Sequence, residues 1–456
     1  YGTAVTVARL SRLVEPRNPA LTPNTPAALW QWAFRLRLLA VVLWLLSVAA
    51  LTTILAREAG PAVALLTGLL LVLEPLNAQF SHYGMNDVPL VALLLLAWLT
   101  ARRMETDSGR WPLTALTTGL LLGLAFGVKY QAALGGVFPL VAWLEGVGRR
   151  SWRWYAGSVG ALLVGGLAGM LATCPLLTSD PTYFLGHIGE FLRWQANISY
   201  DPMPLTEKVP RNLLGLARYG LAPVNWILLI GAVGGAVWGW RRWRSRGTSG
   251  GMLGAVAFVL LLTAAVIFCR DMVRHNDLLP VLSFLIVLYG LTLAECHRAA
   301  RAGMRRLAWV CWVAGLGLLG EYTARSVQDS MALARPDTRV LAREWCQQYL
   351  PSGCSVLREG YTWPIGRADI EEERVGRLLG PRHWELVEQQ EADYLILCSL
   401  SYERFFDPAH PLYLRDAPLR WARLAELYAP VAAFRDRRLL FAQPDVVVFK
   451  RRVRPK

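Results

Sequence analysis

Apolar runs broken by short charged turns fill residues 1–336. An α-helix rises 1.5 Å per residue, so about 20 apolar residues cross the roughly 30 Å of hydrocarbon in a bilayer. Runs of that order fall at 38–56, 61–79, 88–101, 112–128, 132–147, 155–173, 219–240, 251–268, 278–295 and 307–324. The run at 88–101 is short and must extend into its flanks to span. The pattern predicts an all-α polytopic membrane domain with about ten or more transmembrane helices.

The pattern changes at Asp337. Residues 338–349 have helical periodicity behind an Asp337 cap, and 355–357, 394–398 and 446–449 read as short buried strands. A small soluble α/β domain over 337–456, following the membrane domain over 1–336, is expected.

Composition agrees: 54% of residues are hydrophobic and 18% charged, where a soluble domain has roughly 45–50% and 25%. The formal charge of +15 raises nucleic acid as a partner, and its placement argues against one. The tail holds 19 basic and 17 acidic residues, so the excess lies in the membrane part, as arginines in short turns with no basic, aromatic-interleaved patch. These turns hold Arg57; Arg102, Arg103 and Arg110; Arg149, Arg150 and Arg153; Arg241, Arg242, Arg244 and Arg246; and Arg298, Arg301, Arg305 and Arg306. They alternate with turns poor in positive charge, so the positive-inside rule makes the Arg-rich face cytoplasmic and puts the tail outside. The expected location is the inner or plasma membrane, multi-pass, with the C-terminal domain extracytoplasmic.

Seven cysteines show no metal-ligand spacing. Cys346 and Cys354 read as free thiols, with a disulfide as the alternative if the tail meets an oxidising compartment. The chain opens on Tyr1 without a signal-peptide pattern, and a further N-terminal helix with its outer loop is expected upstream.

Ionisable groups in or near hydrocarbon are costly enough to suggest function. Apart from the Arg-rich turns, the candidates are Glu74, His82, Asp87, Lys129, Arg270, Asp271, Arg274, His275 and Asp277, all toward the outer face. Asp87, before Val88-Pro89, is a helix cap, a functional carboxylate, or both. Glu74 beside Pro75 is a buried structural acid or a site residue. Lys129 is a snorkelling lysine or the partner of an anion. Arg270 and Arg274, one helical turn apart, form with Lys129 a candidate phosphate clamp. The stretch 179–195 is amphipathic and suits the interface plane.

Four stretches taken in order resemble the GT-C superfamily of membrane glycosyltransferases, in the polyprenyl- or dolichyl-phosphate-sugar-dependent branch that includes protein mannosyltransferases and aminoarabinose transferases. They are Asn86-Asp87-Val88-Pro89, the segment from Gly123 to Lys129-Tyr130, Arg274-His275-Asn276-Asp277-Leu278-Leu279-Pro280, and the segment from Asp337 through Trp345 to Gly353. The resemblance implies transfer of a sugar from a polyprenyl-phosphate donor to an acceptor at the outer face, with the lipid tail among the helices. It implies Asp87 as the catalytic carboxylate and His82, Asn86, Lys129, Tyr130, Arg270, Arg274 and His275 as substrate-binding residues. No cofactor is implied, and no acidic cluster on the outer face suggests a divalent metal. The family's main acid, in its first outer loop, has no counterpart here and is expected upstream of Tyr1. The alternatives are a transporter or flippase of a lipid-linked anion and a non-catalytic membrane scaffold on the same fold.

Overall fold

A computed structural model describes residues 26–83, 86–106, 110–147, 150–174, 179–183, 186, 188–190, 204–217, 226–246, 249, 251–270, 275–300, 305–389, 391–407, 410, 412–435 and 444–452. The chain forms two compact units, Tyr1–Ala196 with Lys208–Ser326 and Asn197–Glu207 with Val327–Lys456; the helices that cross these bounds lie mostly in the first unit.

The first unit is helical. Its elements are α1 (Pro26–Ala59), α2 (Pro61–Leu73), α3 (Pro75–Tyr83), α4 (Asp87–Thr106), α5 (Trp111–Val128), a 3-10 segment (Tyr130–Gly136) running into α6 (Val137–Gly146), α7 (Trp152–Thr173), α8 (Leu205–Gly215), α9 (Trp226–Arg246), α10 (Met252–Cys269), α11 (His275–Ala300) and α12 (Arg305–Leu333). Prolines open α1, α2 and α3, where the missing N–H is no loss and the fixed φ suits a first turn.

Among the described residues six helices are long and apolar enough to cross a membrane, and the bent pair α2–α3 makes a seventh if taken as one span. The sequence pattern suggested about ten. The difference lies in α4, α6 and α9: α4 carries Asp87, Arg102 and Arg103, α6 has only 10 residues after its 3-10 entry, and α9 ends in Arg241, Arg242, Arg244 and Arg246.

The α2–α3 pair bends by 54° at Glu74. There the carboxylate caps α3, accepting from the backbone N–H of Leu76 at 3.1 Å and of Asn77 at 2.7 Å. Of the two roles open to Glu74, this geometry supplies the structural one.

The apolar stretch of α11 is buried along its whole length, making it the central post of the unit. Its Phe284 packs on Trp98 of α4, Phe138 of α6 and Phe258 of α10, with ring centroids 6.2, 5.4 and 4.8 Å away. Pro280 lies inside α11, in its second turn, where it removes one i→i−4 hydrogen bond.

Between α5 and α7 the helices meet backbone to backbone. A Cβ on Gly119 would lie 2.1 Å from the Leu162 carbonyl oxygen, one on Gly123 2.1 Å from that of Gly166, and one on Gly165 2.1 Å from that of Leu116. Small residues four apart allow this approach, which dispersion and close packing stabilise where the hydrophobic effect contributes little.

Polar contacts gather at both ends of the bundle. At the Arg-rich end Arg102 pairs with Glu58 at 2.5 Å, Trp98 Nε1 donates to the Gly251 carbonyl at 2.9 Å, and the Ser249 N–H donates to Glu145 at 3.0 Å. The opposite end holds the site described below.

The second unit contains α13 (Thr338–Tyr349), β1 (Ser355–Glu359), β2 (Glu371–Val375), α14 (Trp384–Glu388), β3 (Tyr394–Cys398), α15 (Ser399–Phe406), α16 (Ala417–Leu427), β4 (Tyr428–Phe434) and β5 (Val446–Arg451). Asp337 caps α13 as the sequence suggests, accepting from the Arg339 N–H at 2.8 Å. The strands form one sheet in the order β2-β1-β3-β5-β4, parallel at β2-β1-β3 and antiparallel beyond. Strands β2 and β4 escape the sequence pattern because both are edges: β2 begins with three glutamates, and β4 contains Pro430 beside a register shift. Cys346 and Cys354 are free thiols.

Glu359, at the end of β1, is fully buried, and its carboxylate accepts from the N–H groups of Leu378 at 3.0 Å and Cys398 at 2.8 Å. Burial outweighs these bonds and pushes its pKa up to about 7. The folded unit therefore keeps a proton that the unfolded chain releases near its ordinary value of 4.5. Stability should be full below that value, fall by on the order of 1–3 kcal/mol as pH rises to about 7, and level off above. Amide exchange at β3, corrected for the intrinsic pH effect, would show this; protection rising across that window would contradict it.

Candidate functional site

Four helix ends and the 3-10 segment bring charge together at the end of the first unit away from the Arg-rich turns. Asp87 stands in the first turn of α4, Lys129 caps the end of α5, Arg270 caps the end of α10, and Asp277 lies in the first turn of α11. The Lys129 ammonium donates to Asp87 Oδ1 at 2.6 Å and stands 4.0 Å from Asp277 Oδ1. Arg270 Nη2 donates to the same Asp277 oxygen at 2.7 Å, and Gln131 Nε2 donates to it at 2.9 Å. The result is a continuous chain of charge: Asp87, Lys129, Asp277, Arg270.

Burial explains the pairing. Asp87 is 1% exposed and Asp277 0%, and a lone buried carboxylate would cost several kcal/mol. Two carboxylates against two cations leave the group neutral. Toward the described residues the cations still have capacity, because guanidinium carries five N–H donors and ammonium three, while among those residues Arg270 spends one on Asp277 and Lys129 one on Asp87. Among the described residues Asp277 Oδ2 is buried without a hydrogen-bond partner. The arrangement can thus bind an anion through spare donors and accept a proton or hydroxyl at a carboxylate.

Two amides hold the framework. Asn86 Nδ2 donates to the Val128 carbonyl at 3.1 Å, tying the start of α4 to the end of α5. Asn212 of α8 is buried, and its Nδ2 donates to the carbonyls of Ile267 and Arg270 at 2.9 and 2.7 Å, satisfying the open end of α10. Tyr130 packs its ring on Phe126, centroids 5.4 Å apart.

Of the residues proposed from sequence, the structure brings Asp87, Lys129 and Arg270 into one cluster, with Asn86 and Tyr130 beside it. Arg274 lies outside the described residues, as do the side chains of His82 and His275. Glu74 caps a helix instead. Asp277, among the candidate ionisable groups but without an assigned role, turns out to join the two cations. Asn212 was missed, and its one sequence signal is a polar residue in a helix of marked amphipathicity. Among the described residues no three His, Cys, Asp or Glu side chains gather as metal ligands.

Residues 19–269 match glycosyltransferase family 87. That is more than half of the chain, and the chain belongs to this family of glycosyltransferases. The match bears out the resemblance to GT-C membrane glycosyltransferases drawn from the four sequence stretches; it includes Asp87 and Lys129 and stops one residue short of Arg270. Similar solved structures include ArnT from Cupriavidus metallidurans bound to undecaprenyl phosphate, at 15% identity over 91% of this chain and 84% of that one, TM-score 0.45. The apo state of the same protein matches at 14% identity over 90% and 83%, TM-score 0.47. An oligosaccharyltransferase from Archaeoglobus fulgidus with zinc and sulfate matches at 11% identity over 86% and 59%, TM-score 0.44. No curated protein matches the chain.

Proposed function

We propose that this multi-pass membrane protein transfers a sugar from a polyprenyl-phosphate-linked donor to an acceptor at the outer face of the membrane. The observation that carries the reading is the buried, charge-balanced chain Asp87–Lys129–Asp277–Arg270 with unspent cation donors, in a chain of a glycosyltransferase family. Its position opposite the arginine-rich end supports the outer face, since positive residues stay cytoplasmic.

In this reading Lys129 and Arg270 bind the phosphate that joins sugar to lipid and stabilise the charge it gains as the anomeric C–O bond breaks. Asp87 orients the acceptor hydroxyl and takes its proton as the new C–O bond forms. The phosphate leaves on the lipid. Asp277 positions both cations through Oδ1.

Purified protein in sealed vesicles, given polyprenyl-phosphate-linked sugars from outside, should release polyprenyl phosphate as sugar is transferred. Lys129→Gln should slow this by about 10-fold or more, the scale of one charge-assisted contact to the leaving phosphate. Movement of intact donor across the bilayer with no polyprenyl phosphate released would instead establish a transporter.

A further inference from the structure

The second unit has an open cavity of about 650 Å³ lined by Gly360, Tyr361, Arg374, Val375, Gly376, Arg377, Arg382 and His383. It lies where β1 ends at Glu359 and β2 ends at Val375, neighbours in the parallel part of the sheet. The region beyond the carboxyl ends of parallel strands is where open α/β sheets bind ligands.

Its charge is one-sided. Arg374, Arg377 and Arg382 line it and, among the described residues, no acidic side chain does. Six other arginines of this unit sit on carboxylates: Arg339 on Asp337, Arg358 on Glu372, Arg367 on Asp369, Arg420 on Asp416, Arg423 on Glu426 and Arg451 on Asp393. Among the described residues none of the three cavity arginines forms an ion pair, although Arg377 is near enough to buried Glu359 to favour its charged form, and the single hydrogen bond of Arg374 goes to the Gly360 carbonyl at 3.4 Å. On the rim, Arg404 lies over the Tyr361 ring, 5.1 Å from its centroid, and donates to the phenol oxygen at 3.3 Å.

We propose that this cavity binds a phosphate monoester, with the phosphoryl group held by Arg374, Arg377 and Arg382. Guanidinium forks suit phosphate oxygens, and the volume lies in the range of small-molecule sites, roughly 300–1,000 Å³. The ligand therefore has room for an organic group of about sugar size beside its phosphate. The phosphate belongs either to a soluble metabolite or to a lipid headgroup, and the chemistry of recognition is shared.

The test uses the whole protein in detergent, titrated with a hexose 1-phosphate and the matching free hexose, and in bilayer discs with or without phosphatidic acid. Binding of the hexose phosphate but not the hexose, weakened tenfold or more in Arg374→Gln/Arg382→Gln and unchanged in Arg451→Gln, supports a soluble ligand. The same dependence seen only as retention of phosphatidic acid supports a lipid ligand. Arg374→Lys/Arg382→Lys keeps the charge and should retain part of the affinity, which separates lost charge from lost folding. Absence of phosphate-dependent binding in both arms, equal binding by parent and double variant, or binding lost instead in Arg270→Gln would overturn the assignment.

Discussion

Asp87→Asn should reduce sugar transfer by about 100-fold or more per folded molecule, the scale expected when a general base is lost. Asparagine keeps the size and capping ability of aspartate and removes only the charge. In the folded protein that charge is also half of a buried ion pair, since Lys129 stands 2.6 Å from Asp87 Oδ1. The variant leaves Lys129 with Asp277, 4.0 Å away and already engaged by Arg270, so stability should fall as well, by roughly 1–3 kcal/mol. The two effects separate in the double variant Asp87→Asn/Lys129→Gln. Removing both charges relieves the unpaired lysine, so stability should recover, while transfer should not. This non-additivity in stability is what contacting residues show in a double-mutant cycle. If Asp87→Asn retains transfer within a few-fold of the parent, Asp87 is a structural partner of Lys129, and Asp277 Oδ2, buried and unpartnered among the described residues, becomes the carboxylate to test.

The helical unit was legible because lipid demands long apolar runs, and the arginine turns mark one end of the bundle without reference to structure. The site was legible in part for the same reason: Asp87, Lys129 and Arg270 are conspicuous because charge is rare at the end of the bundle away from the arginine turns. Their pairing was not. A cation read alone against an apolar background suggests an anionic ligand, whereas here Lys129 first serves a carboxylate 42 residues away and Arg270 one across a turn. Asp277 illustrates the limit. It sits three residues before Pro280 in an ordinary first-turn position, and only the convergence of α5, the 3-10 segment, α10 and α11 gives one of its oxygens two donors and an ammonium 4.0 Å away. The edge strands were hidden by their own function as edges, where glutamates and proline prevent further pairing. The arginine cavity was hidden because Arg374, Arg377 and Arg382 look like the rest of a well-charged tail, and only their shared place around one opening distinguishes them.

Gly123→Ala should destabilise the helical unit by several kcal/mol, while Gly160→Ala, on the facing helix α7, should be neutral or slightly stabilising. The two substitutions add the same methyl group. At Gly160 a Cβ meets nothing within 4 Å, so the change removes only the helix penalty of glycine, worth up to about 1 kcal/mol. At Gly123 the Cβ would lie 2.1 Å from the Gly166 carbonyl oxygen and 3.0 Å from the Met170 nitrogen. Both are backbone atoms that no rotamer change can move. Relief requires α5 and α7 to separate by more than about 1 Å along their contact, loosening the neighbouring approaches at Gly119 and Gly165 as well; overpacking on this scale costs about 3 kcal/mol or more. The consequence extends to chemistry, because α5 ends at Lys129. A shift of that helix would carry the ammonium off Asp87, and a misplacement of about 1 Å can cost 100-fold in rate. Thermal unfolding in detergent, with transfer measured on the folded fraction, is the check: Gly123→Ala unfolding at the parent temperature would mean that the helices do not meet backbone to backbone, and the register that places Lys129 would then need another source.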